Sequence, residues 1–395
     1  MRIGIFGGSF DPIHNEHVSL AKQAVADLSL DRLFVMPAAN PPHKPWRALT
    51  SNEVREKLCA LAFDGEERIT VSDYELRSGG TSYTYLTIRH FKEEYPEAEL
   101  YFLMGTDMLR DFPSWRNPDE IVKNCTLAIC ARAEDENWAQ TEQEKFRQRF
   151  GASFTVLSYA GKDISSTKIR VLAGAGMDLT DFLPKPVARY VEENGVYAIK
   201  GVKESLSLQK PTRRAHSIRV AIMAAKRAAR LKLNEKQVIQ AALLHDCAKN
   251  LTLNDPLLDG FVPPQGCPPS VLHQYAGAYV ARNRFKIEDE EVLSAIACHT
   301  SGKENMTELD KLIFLSDLVE EDRAYAGVER LRELFWEDLD ECLLRSLEET
   351  VEYLMKSGQP IYEKTLQARD YYRRKQSELW KRKENEEKEK KDGND

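Results

Sequence analysis

The sequence predicts two domains of different class, an α/β domain with a parallel sheet and a separate all-α domain after it. Up to residue 200, short β-branched apolar runs alternate with segments of helical periodicity, which is typical of a parallel sheet with helices on both faces. Beyond residue 211, apolar residues recur only at helical spacing. A chain of 395 residues is long enough for two or three cores. The predicted parts are 1–200 for the α/β domain, 201–211 for a polar linker, 212–362 for the helical domain and 363–395 for a charged helical or disordered tail.

Composition argues against several classes of protein. A formal net charge of −7 disfavours a protein that coats nucleic acid. The seven cysteines are odd in number and lack C-x-x-C spacing, so they indicate neither a disulfide framework nor a zinc ribbon. No apolar run approaches the ~20 residues that span a bilayer, and no basic leader precedes the first strand. We therefore expect a cytoplasmic protein without nucleic-acid or membrane partners.

The first predicted element is a buried strand with the sequence IGIF. Gly7 and Gly8 end this strand in a turn, and a helix is expected from Asn15 onward. His14 and His17 then lie about one helical turn apart and face the glycine turn. Backbone N–H groups at such a turn attract anions, and imidazoles can donate hydrogen bonds to phosphoryl oxygens. A polyphosphate site is one interpretation, and a glycine-closed turn with two surface histidines is the other.

A second stretch with the same chemistry has the sequence ISSTKIR, at residues 164–170. Its hydroxyl groups stand where a helix N-cap is expected, and Arg170 follows one helical turn later. Hydroxyls, N–H groups without partners at the helix start and a guanidinium together suit a triphosphate. A capped helix with a solvated arginine is the alternative.

Further strands and helices alternate between these two stretches. The predicted strands are 33–36, 69–71, 100–104, 125–131 and 154–157, and the predicted helices are 52–63, a helix that follows a polar loop at 75–84, and a charged helix at 134–150. His43 and Lys44 follow the second strand and could reach a phosphate, or lie in a solvated loop. Asp107 could contact a ribose or Mg²⁺, or cap a helix. Trp115 and Arg116 suit stacking on a flat heterocycle and pairing with an anion.

The two phosphate-binding stretches resemble the nucleotidyltransferases that carry an (H/T)xGH motif near the start and an ISSTxxR motif near the end. The second motif matches in full, whereas the first has Glu16 in place of glycine. Four intermediate runs and one at the end resemble landmarks of bacterial nicotinate-nucleotide adenylyltransferases over roughly residues 1–200. They are PAANPPHK, ELRSGGTSYT, FLMGTDML and PSWR, followed by PVARYVEENGVY at residues 186–197.

This resemblance implies a Rossmann-like fold, ATP with Mg²⁺, and a pyridine mononucleotide as the acceptor. The acceptor phosphate would attack the α-phosphorus of ATP in line while pyrophosphate leaves, a transfer that needs positioning and charge stabilisation but no protein nucleophile. The amidated mononucleotide and phosphopantetheine are alternative acceptors. The residues to which the resemblance gives roles are His14, His17 and Arg170 in catalysis; Gly7, Gly8, Ser9, Phe10, His43, Lys44, Gly105, Asp107, Ile164, Ser165, Ser166 and Thr167 in nucleotide binding; and Ser82, Tyr83, Thr84, Trp115 and Arg132 in acceptor binding.

In the second half, polar residues stand out within apolar helical segments. His245 and Asp246 are adjacent at the end of an apolar helix face, where their burial is costly unless they are paired or bind metal. Singly, each such residue is typical of a core or a helix cap. Together they indicate a metal site formed by four histidines and two aspartates, namely His216, His245, Asp246, His273, His299 and Asp317.

The runs HDCAK, CHTSG and LSDLVEEDR resemble HD-type phosphohydrolases, most of all their YqeK-like branch, over roughly residues 206–355. This resemblance implies one metal held by His216, His245, Asp246 and Asp317, with Asp246 also catalytic, and a second metal held with help from His273 and His299. Imidazole and carboxylate suit two first-row divalent metals, and we expect iron. The implied reaction is hydrolysis of diadenosine tetraphosphate to ADP. Another phosphohydrolase and a non-catalytic nucleotide sensor are alternatives, and assembly into a homo-oligomer is left open.

Overall fold

The computed structural model describes residues 1–41, 48–131, 138–159, 161 and 164–392, with side chains as far as residue 378. Contacts divide the chain into two compact units. The first comprises Met1–Ala173 with Asp178–Tyr197, and the second comprises Gly174–Met177 with the chain from Ala198 onward. Among the described helices, none combines the length and the apolar character that crossing a membrane requires.

The described residues of the first unit form a six-stranded parallel sheet, which confirms the predicted fold class. The strands are β1 (Arg2–Gly8), β2 (Arg32–Pro37), β3 (Ile69–Val71), β4 (Glu99–Gly105), β5 (Thr126–Cys130) and β6 (Thr155–Leu157). Their order in the sheet is β3-β2-β1-β4-β5-β6. The direction of winding therefore reverses between β1 and β4. In open parallel sheets, ligands bind beyond the carboxyl ends of the strands at such a reversal.

Helices cover both faces of this sheet because each face presents apolar side chains. On one face of the sheet, the helical residues Leu58 and Ile169 pack against β1 and β2. On the other face, the helical residues Ile88 and Ile121 pack against the sheet. The described helices of this part of the chain are α1 (Asn15–Asp27), α2 (Asn52–Ala62), α3 (Tyr74–Ser78), α4 (Thr84–Glu94), α5 (Thr106–Asp111), α6 (Pro118–Asn124), α7 (Trp138–Phe150), α8 (Ser166–Gly174) and α9 (Lys185–Glu193).

The structure corrects the predicted polar loop at 75–84, since the short helix α3 occupies its first half. The Ser78 hydroxyl donates to the Tyr74 carbonyl at 2.6 Å, and Arg77 pairs with Asp73 at 2.7 Å. Gly79 then takes a positive φ of 65° and ends the helix. These local side-chain contacts favour a helical turn in a segment without apolar periodicity.

The second unit is built of helices, as predicted. They are α10 (Val202–Ser207), α11 (Pro211–Leu231), α12 (Glu235–Leu244), α13 (Pro269–Asn283), α14 (Glu290–Cys298), α15 (Glu308–Val319), α16 (Val328–Glu337), α17 (Leu339–Lys356) and α18 (Glu363–Asp392). Several begin with a capping aspartate, asparagine or threonine whose side chain accepts from the first turn.

Residues 201–211, predicted as a polar linker, instead carry the helix α10. Val202 and Leu206 are buried one turn apart, and the hydroxyl of Ser205 donates to the carbonyl of Leu243 at 2.9 Å. Gln209 donates to Ser205 at 3.2 Å. The polar side chains of this segment therefore make internal hydrogen bonds that fasten it to α12.

The segment from residue 363, predicted as a charged helical or disordered tail, begins as a packed helix. Ala368 and Tyr372 are buried, and the Tyr372 hydroxyl accepts a hydrogen bond from the backbone N–H of Met306 at 2.7 Å. Arg373 pairs with Glu348 of α17 at 2.6 Å. The first turns of α18 are therefore part of the second unit.

Candidate active sites

The first candidate site lies at the turn between β1 and α1. His14 immediately precedes α1, and its ring stacks on that of His17 with centroids 3.6 Å apart. The backbone N–H of His14 donates to Nδ1 of His17 at 3.3 Å, which leaves the N–H of a neutral His17 on Nε2. Phe10 packs edge-on against His17 with centroids 5.1 Å apart. The two imidazoles thus lie side by side beyond the carboxyl end of β1.

The ISSTKIR segment lies against the same turn, although it is more distant in sequence. The Ser166 hydroxyl donates to the carbonyl of Pro12 at 3.0 Å. The buried Arg170 donates to the carbonyl of Asp11 and, at 2.9 Å, to the hydroxyl of Thr167. The fold therefore brings together the two stretches whose chemistry suits phosphate.

The start of α8 has the predicted cap. The Ser165 hydroxyl accepts from the backbone N–H of Lys168 at 3.3 Å, and Ile164 packs against the apolar core. N–H groups at a helix start add a favourable partial charge for an anion.

Arg55 was not predicted from the sequence as a site residue, yet it binds the backbone next to the glycine turn. This fully buried guanidinium donates to the carbonyl of Ser9 at 2.8 Å and to that of Thr50 at 3.0 Å. Burial lowers the pKa of Arg55, and the nearby Asp11 carboxylate opposes that shift. Asp11 in turn accepts from the Tyr197 hydroxyl at 2.7 Å. The available signal was an arginine among the apolar positions on the inner face of a predicted helix.

Glu16, where the resembled motif has glycine, is buried. Its Oε2 accepts from the hydroxyl of Tyr159 at 2.5 Å. Desolvation and the Glu16 carboxylate raise the pKa of that hydroxyl, so Tyr159 remains a donor. A Cβ added to Gly161 would lie 3.2 Å from the same oxygen. The carboxylate therefore contacts the chain that follows β6 and leads to ISSTKIR.

Gly105 and Asp107 lie at the carboxyl end of β4, next to β1 in the sheet. A Cβ at Gly105 would lie only 2.6 Å from Oδ1 of Asp107, so the absence of a side chain at residue 105 makes room for that carboxylate. Both residues thus stand at the reversal in strand order, where a nucleotide is expected.

The residues predicted to bind the acceptor are only partly brought together. The Ser82 hydroxyl accepts from the backbone N–H of Ala39 at 3.0 Å, and Thr84 begins α4. Arg116 stacks its guanidinium over the Tyr83 ring at 4.9 Å. Trp115 packs instead against Phe102 and Phe112. The predicted His43, Lys44 and Arg132 lie outside the described residues.

The second candidate site is a cluster of histidines and aspartates in the helical unit. His216 lies within α11, His245 follows α12 directly, His299 follows α14 directly, and Asp317 lies within α15. Two groups offer ligand atoms within 4.8 Å of one another, namely His216, His245 and Asp317, and His245, Asp246 and His299. His245 belongs to both groups, so the two groups are adjacent. A histidine nitrogen has one lone pair, so His245 would ligate one cation, whereas the two oxygens of the Asp246 carboxylate could serve two.

Hydrogen bonds orient the imidazoles of this cluster. Nδ1 of His245 lies 2.6 Å from the carbonyl of Ala242, and Nδ1 of His299 lies 2.8 Å from that of Ile296. A carbonyl only accepts, so both Nδ1 atoms carry the proton and both Nε2 atoms have a lone pair for a metal. Nδ1 of His216 lies 3.1 Å from Oε1 of Glu320, and its Nε2 lies 2.9 Å from Asp317. Glu320 was not anticipated from the sequence.

His273 lies beside these two groups but belongs to neither. Its Nε2 lies 3.1 Å from Nε2 of His299 and 3.5 Å from Oδ1 of Asp246. The Thr300 hydroxyl and the Lys249 ammonium both lie 3.0 Å from the same nitrogen. His273 is therefore next to the second group, where the resemblance assigned it.

Cations that sequence reasoning did not assign also contact the cluster. Arg213 donates to Oδ2 of Asp246 at 2.9 Å, and Arg323 donates to Oδ1 of Asp317 at 2.5 Å. Desolvation lowers the pKa of Lys249, Asp246 and Asp317 oppose that shift, and the charges of Arg213 and Arg323 add to it. The Lys249 ammonium lies 3.0 Å from Nε2 of His273, so each of the three cations contacts a predicted ligand.

The residues present fit the divalent cations that an HD domain implies. Burial lowers the pKa of His245 to about 4 and that of His273 to about 2, which keeps both imidazoles neutral, as ligation requires. Desolvation raises the pKa of Asp246, but His245 and His299 lower it more strongly, so it is ionised. Nε2 of His245 and Oδ1 of Asp246 are buried, and no hydrogen bond satisfies them within the described chain. Unsatisfied buried polar atoms are costly, and a shared cation would satisfy both.

Comparison with known proteins agrees with this division. A family model described as Cytidylyltransferase-like matches residues 5–172, and a model of the HD domain matches residues 213–322. "Probable nicotinate-nucleotide adenylyltransferase" of Clostridium novyi is 36% identical over 49% of this chain and 98% of its own length. "Probable nicotinate-nucleotide adenylyltransferase/Ap4A hydrolase" of Mycoplasma pneumoniae is 31% identical over 81% of this chain and 89% of its own length.

Among the similar solved structures is a predicted HD superfamily hydrolase involved in NAD metabolism from Clostridium acetobutylicum, with 30% identity, a TM-score of 0.42, and coverage of 44% of this chain and 96% of that one.

Fold and family matches together define a nucleotidyltransferase joined to an HD-domain phosphohydrolase. Within that class, the chain belongs to the family of fused nicotinate-nucleotide adenylyltransferase/Ap4A hydrolases, where Ap4A is diadenosine tetraphosphate.

Proposed function

We propose that the first unit transfers the adenylyl group of ATP to nicotinate mononucleotide, giving deamido-NAD and pyrophosphate. The observation that carries this proposal is the contact between the two phosphate-binding stretches, through Ser166 with Pro12 and Arg170 with Asp11. Both stretches are beyond the carboxyl end of β1, at the reversal in strand order.

The proposed roles follow from the donors at this turn. The imidazoles of His14 and His17, the Arg170 guanidinium and the hydroxyls of residues 165–167 would bind the triphosphate and stabilise charge that develops on pyrophosphate. The chain from Gly7 to Phe10 would contact the phosphates, and Gly105 and Asp107 would contact the adenosine. Mg²⁺, which proteins usually hold through substrate phosphates and one or two carboxylates, would neutralise charge on the phosphates.

The proposed acceptor site lies around Ser82, Tyr83 and Thr84 with Trp115. A decisive experiment supplies the purified chain with ATP, Mg²⁺ and one acceptor at a time, and measures pyrophosphate and the dinucleotide product. We expect nicotinate mononucleotide to be preferred over nicotinamide mononucleotide and phosphopantetheine. Equal or greater turnover with either of the other two acceptors would contradict the proposal.

We also propose that the helical unit hydrolyses Ap4A to two molecules of ADP at a two-metal site. The supporting observation is the pair of ligand groups that share His245, buried with ionised Asp246. His216, His245, Asp246 and Asp317 would hold one cation, and His273 and His299 would help to hold the second beside Asp246. Such ions act as Lewis acids toward phosphoryl oxygens, and nitrogen–carboxylate ligand sets suit iron, our expected metal.

The test of this second activity uses the full chain loaded in turn with Fe²⁺, Mn²⁺, Co²⁺ or Zn²⁺. We expect ADP to be the product of Ap4A, with the highest rate in iron, and His245→Ala to abolish it while adenylyl transfer continues. An intact Ap4A pool with every metal would refute the hydrolase. A nucleotide sensor would show a different result, because His245→Ala would then change the control of adenylyl transfer.

The proposed location is the cytoplasm. The cysteines of the chain are all free thiols, and most are buried, as expected for a protein of a reducing compartment.

A further inference from the structure

The charges around the metal cluster do not cancel when the cluster holds cations. Asp246 and Asp317 are the carboxylates among the predicted ligands. Arg213 pairs with Asp246 and Arg323 with Asp317, and the Lys249 ammonium lies 3.0 Å from Nε2 of His273. Arg219 is engaged elsewhere, by Glu320 and Asp322 at 2.8 and 2.9 Å. Each divalent ion adds two further positive charges. A site of this composition therefore favours a polyanion as its occupant.

The positions of the arginines suit contact with a molecule that arrives from solvent. The side chains of Arg213 and Arg323 are 32% and 36% exposed, whereas those of His245 and Asp246 are 0% and 2% exposed. A guanidinium has five N–H donors. Among the described residues, Arg213 gives one to Asp246, and Arg323 gives two to Asp317. Both arginines therefore retain donors in fork geometry, which suits phosphate oxygens.

We propose that Arg213, Lys249 and Arg323 form a phosphate-binding rim around the metal cluster and recognise the polyphosphate chain of a substrate without reading its base. The proposal rests on the phosphohydrolase function proposed above. Each cation contacts a different predicted metal ligand: Arg213 contacts Asp246, Lys249 contacts His273, and Arg323 contacts Asp317. Phosphates bound to the metals would therefore lie next to all three cations. A rim of this kind binds the phosphate chain of a nucleotide whichever base the nucleotide carries.

A different role for the same cations is to hold the metal ligands in place. The two roles can be separated by experiment. Loss of a residue that holds the ligands would lower the affinity for the metal, whereas loss of a rim residue would lower the affinity for the anion. The substitutions Arg213→Gln, Lys249→Gln and Arg323→Gln test this, with Arg282→Gln as the matched control, since Arg282 pairs with Glu290 on the surface of the same unit.

Inorganic tripolyphosphate is the probe, titrated by calorimetry into the Mn²⁺-loaded full chain, and Mn²⁺ affinity is measured separately by electron paramagnetic resonance. Every chain also carries Arg170→Gln, which weakens the triphosphate site of the first unit. We expect each rim substitution to raise the Kd for tripolyphosphate about tenfold, as one lost charge-assisted contact would, with Mn²⁺ affinity within about threefold and the control unchanged. Adenosine should not compete.

Two results would overturn the proposal of a phosphate-binding rim. One is an unchanged affinity for tripolyphosphate in all three variants, and the other is a loss of Mn²⁺ affinity large enough to account for the weaker binding of tripolyphosphate. Failure of the underlying function is a distinct result. In that case the loaded chain binds tripolyphosphate in a manner that depends on the rim but leaves Ap4A intact.

Discussion

At the residue scale, single buried side chains fix the backbone of the first site. Arg55 is the clearest case, because the carbonyls of Ser9 and Thr50 have this guanidinium as their donor. Its substitution would leave both carbonyls without that partner in the interior, and unsatisfied buried groups cost about 1–3 kcal/mol each.

We therefore predict that Arg55→Met lowers the unfolding free energy of the first unit by about 3 kcal/mol. Arg77→Met is the control, since its ion pair with Asp73 is exposed and should contribute less than about 0.5 kcal/mol. Hydrogen exchange of β1 in increasing denaturant measures both effects without interference from the helical unit. Equal losses in the two variants would show that Arg55 does not support the turn.

Glu16 gives a second prediction at this scale, because its hydrogen bond from Tyr159 connects α1 with the chain that leads to ISSTKIR. Glu16→Ala and Tyr159→Phe should each raise the KM for ATP by about three- to tenfold, since a hydrogen bond to a charged group contributes about 1.5–3 kcal/mol. The double variant should be no worse than either single one. Tyr101→Phe, which removes a hydroxyl bonded to exposed Glu99, should leave KM unchanged. Additive effects would contradict the connection.

At the scale of elements, the half-buried carboxyl of Glu75 joins α3 to α4 through its hydrogen bond with Thr87. Burial raises the pKa of Glu75, although hydrogen bonds from Thr87 and Ser82 lower it. Below the unfolded-state pKa of about 4.3, both states are protonated and the group has no effect. Above it the folded state binds the proton more tightly, so the unfolding free energy falls as pH rises through the folded-state pKa.

Glu75→Gln removes the fall in unfolding free energy that ionisation of Glu75 causes. We therefore predict that the first unit of the variant is more stable than the parent at pH 7 and equally stable at pH 4. Denaturant unfolding of the variant and parent at both pH values measures the effect, with the exposed Glu97→Gln as the control. A variant that is less stable at pH 7 would mean that the ionised carboxylate is favoured in the fold.

The helix α18 divides into a packed part and a part that extends beyond it. Since Ala368 and Tyr372 are buried against the helical unit, removal of residues 363–395 should lower the unfolding temperature of that unit by several degrees. Removal of residues 379–395 alone should have little effect. Calorimetry of the two truncated chains decides this, and similar behaviour of both would show that the buried contacts contribute little.

Elements and motifs were predictable where the signal is local. The strands, most helices and the proximity of His14 to His17 follow from spacing along the chain, and the histidines predicted as metal ligands do lie in one cluster. Glu320 was not predictable, because it contacts a histidine 104 residues away in the sequence. Arg55 showed a signal as an arginine among apolar positions, but its bond to the carbonyl of Ser9, 46 residues away, could not be foreseen. The helix α10 was missed because it has only 6 residues, and its polar Ser205 bonds to a partner 38 residues away.

At the scale of the whole molecule, the two units have separate cores, and their candidate sites are built from different kinds of side chain. In the first unit the proposed phosphate ligands are backbone, hydroxyl and imidazole groups, and no cluster of three metal-ligating side chains occurs among its described residues. In the second, such clusters are buried in the core. Metal should therefore be linked to the stability of the second unit alone.

We predict that stripping the chain with a chelator lowers the unfolding temperature of the helical unit and that Mn²⁺ or Fe²⁺ restores it, while the first unit is unaffected. An ion at one hundred times its Kd stabilises the native state by about 2.7 kcal/mol, enough to shift a calorimetric transition by several degrees. His245→Ala should remove the response, whereas His90→Ala, outside the cluster, should keep it. Adenylyl transfer, assayed with Mg²⁺ after the chelator is removed, should stay within about twofold, because its proposed donors are not metal ligands. A transition that does not respond to metal would show that the buried His245 and Asp246 are satisfied within the protein itself.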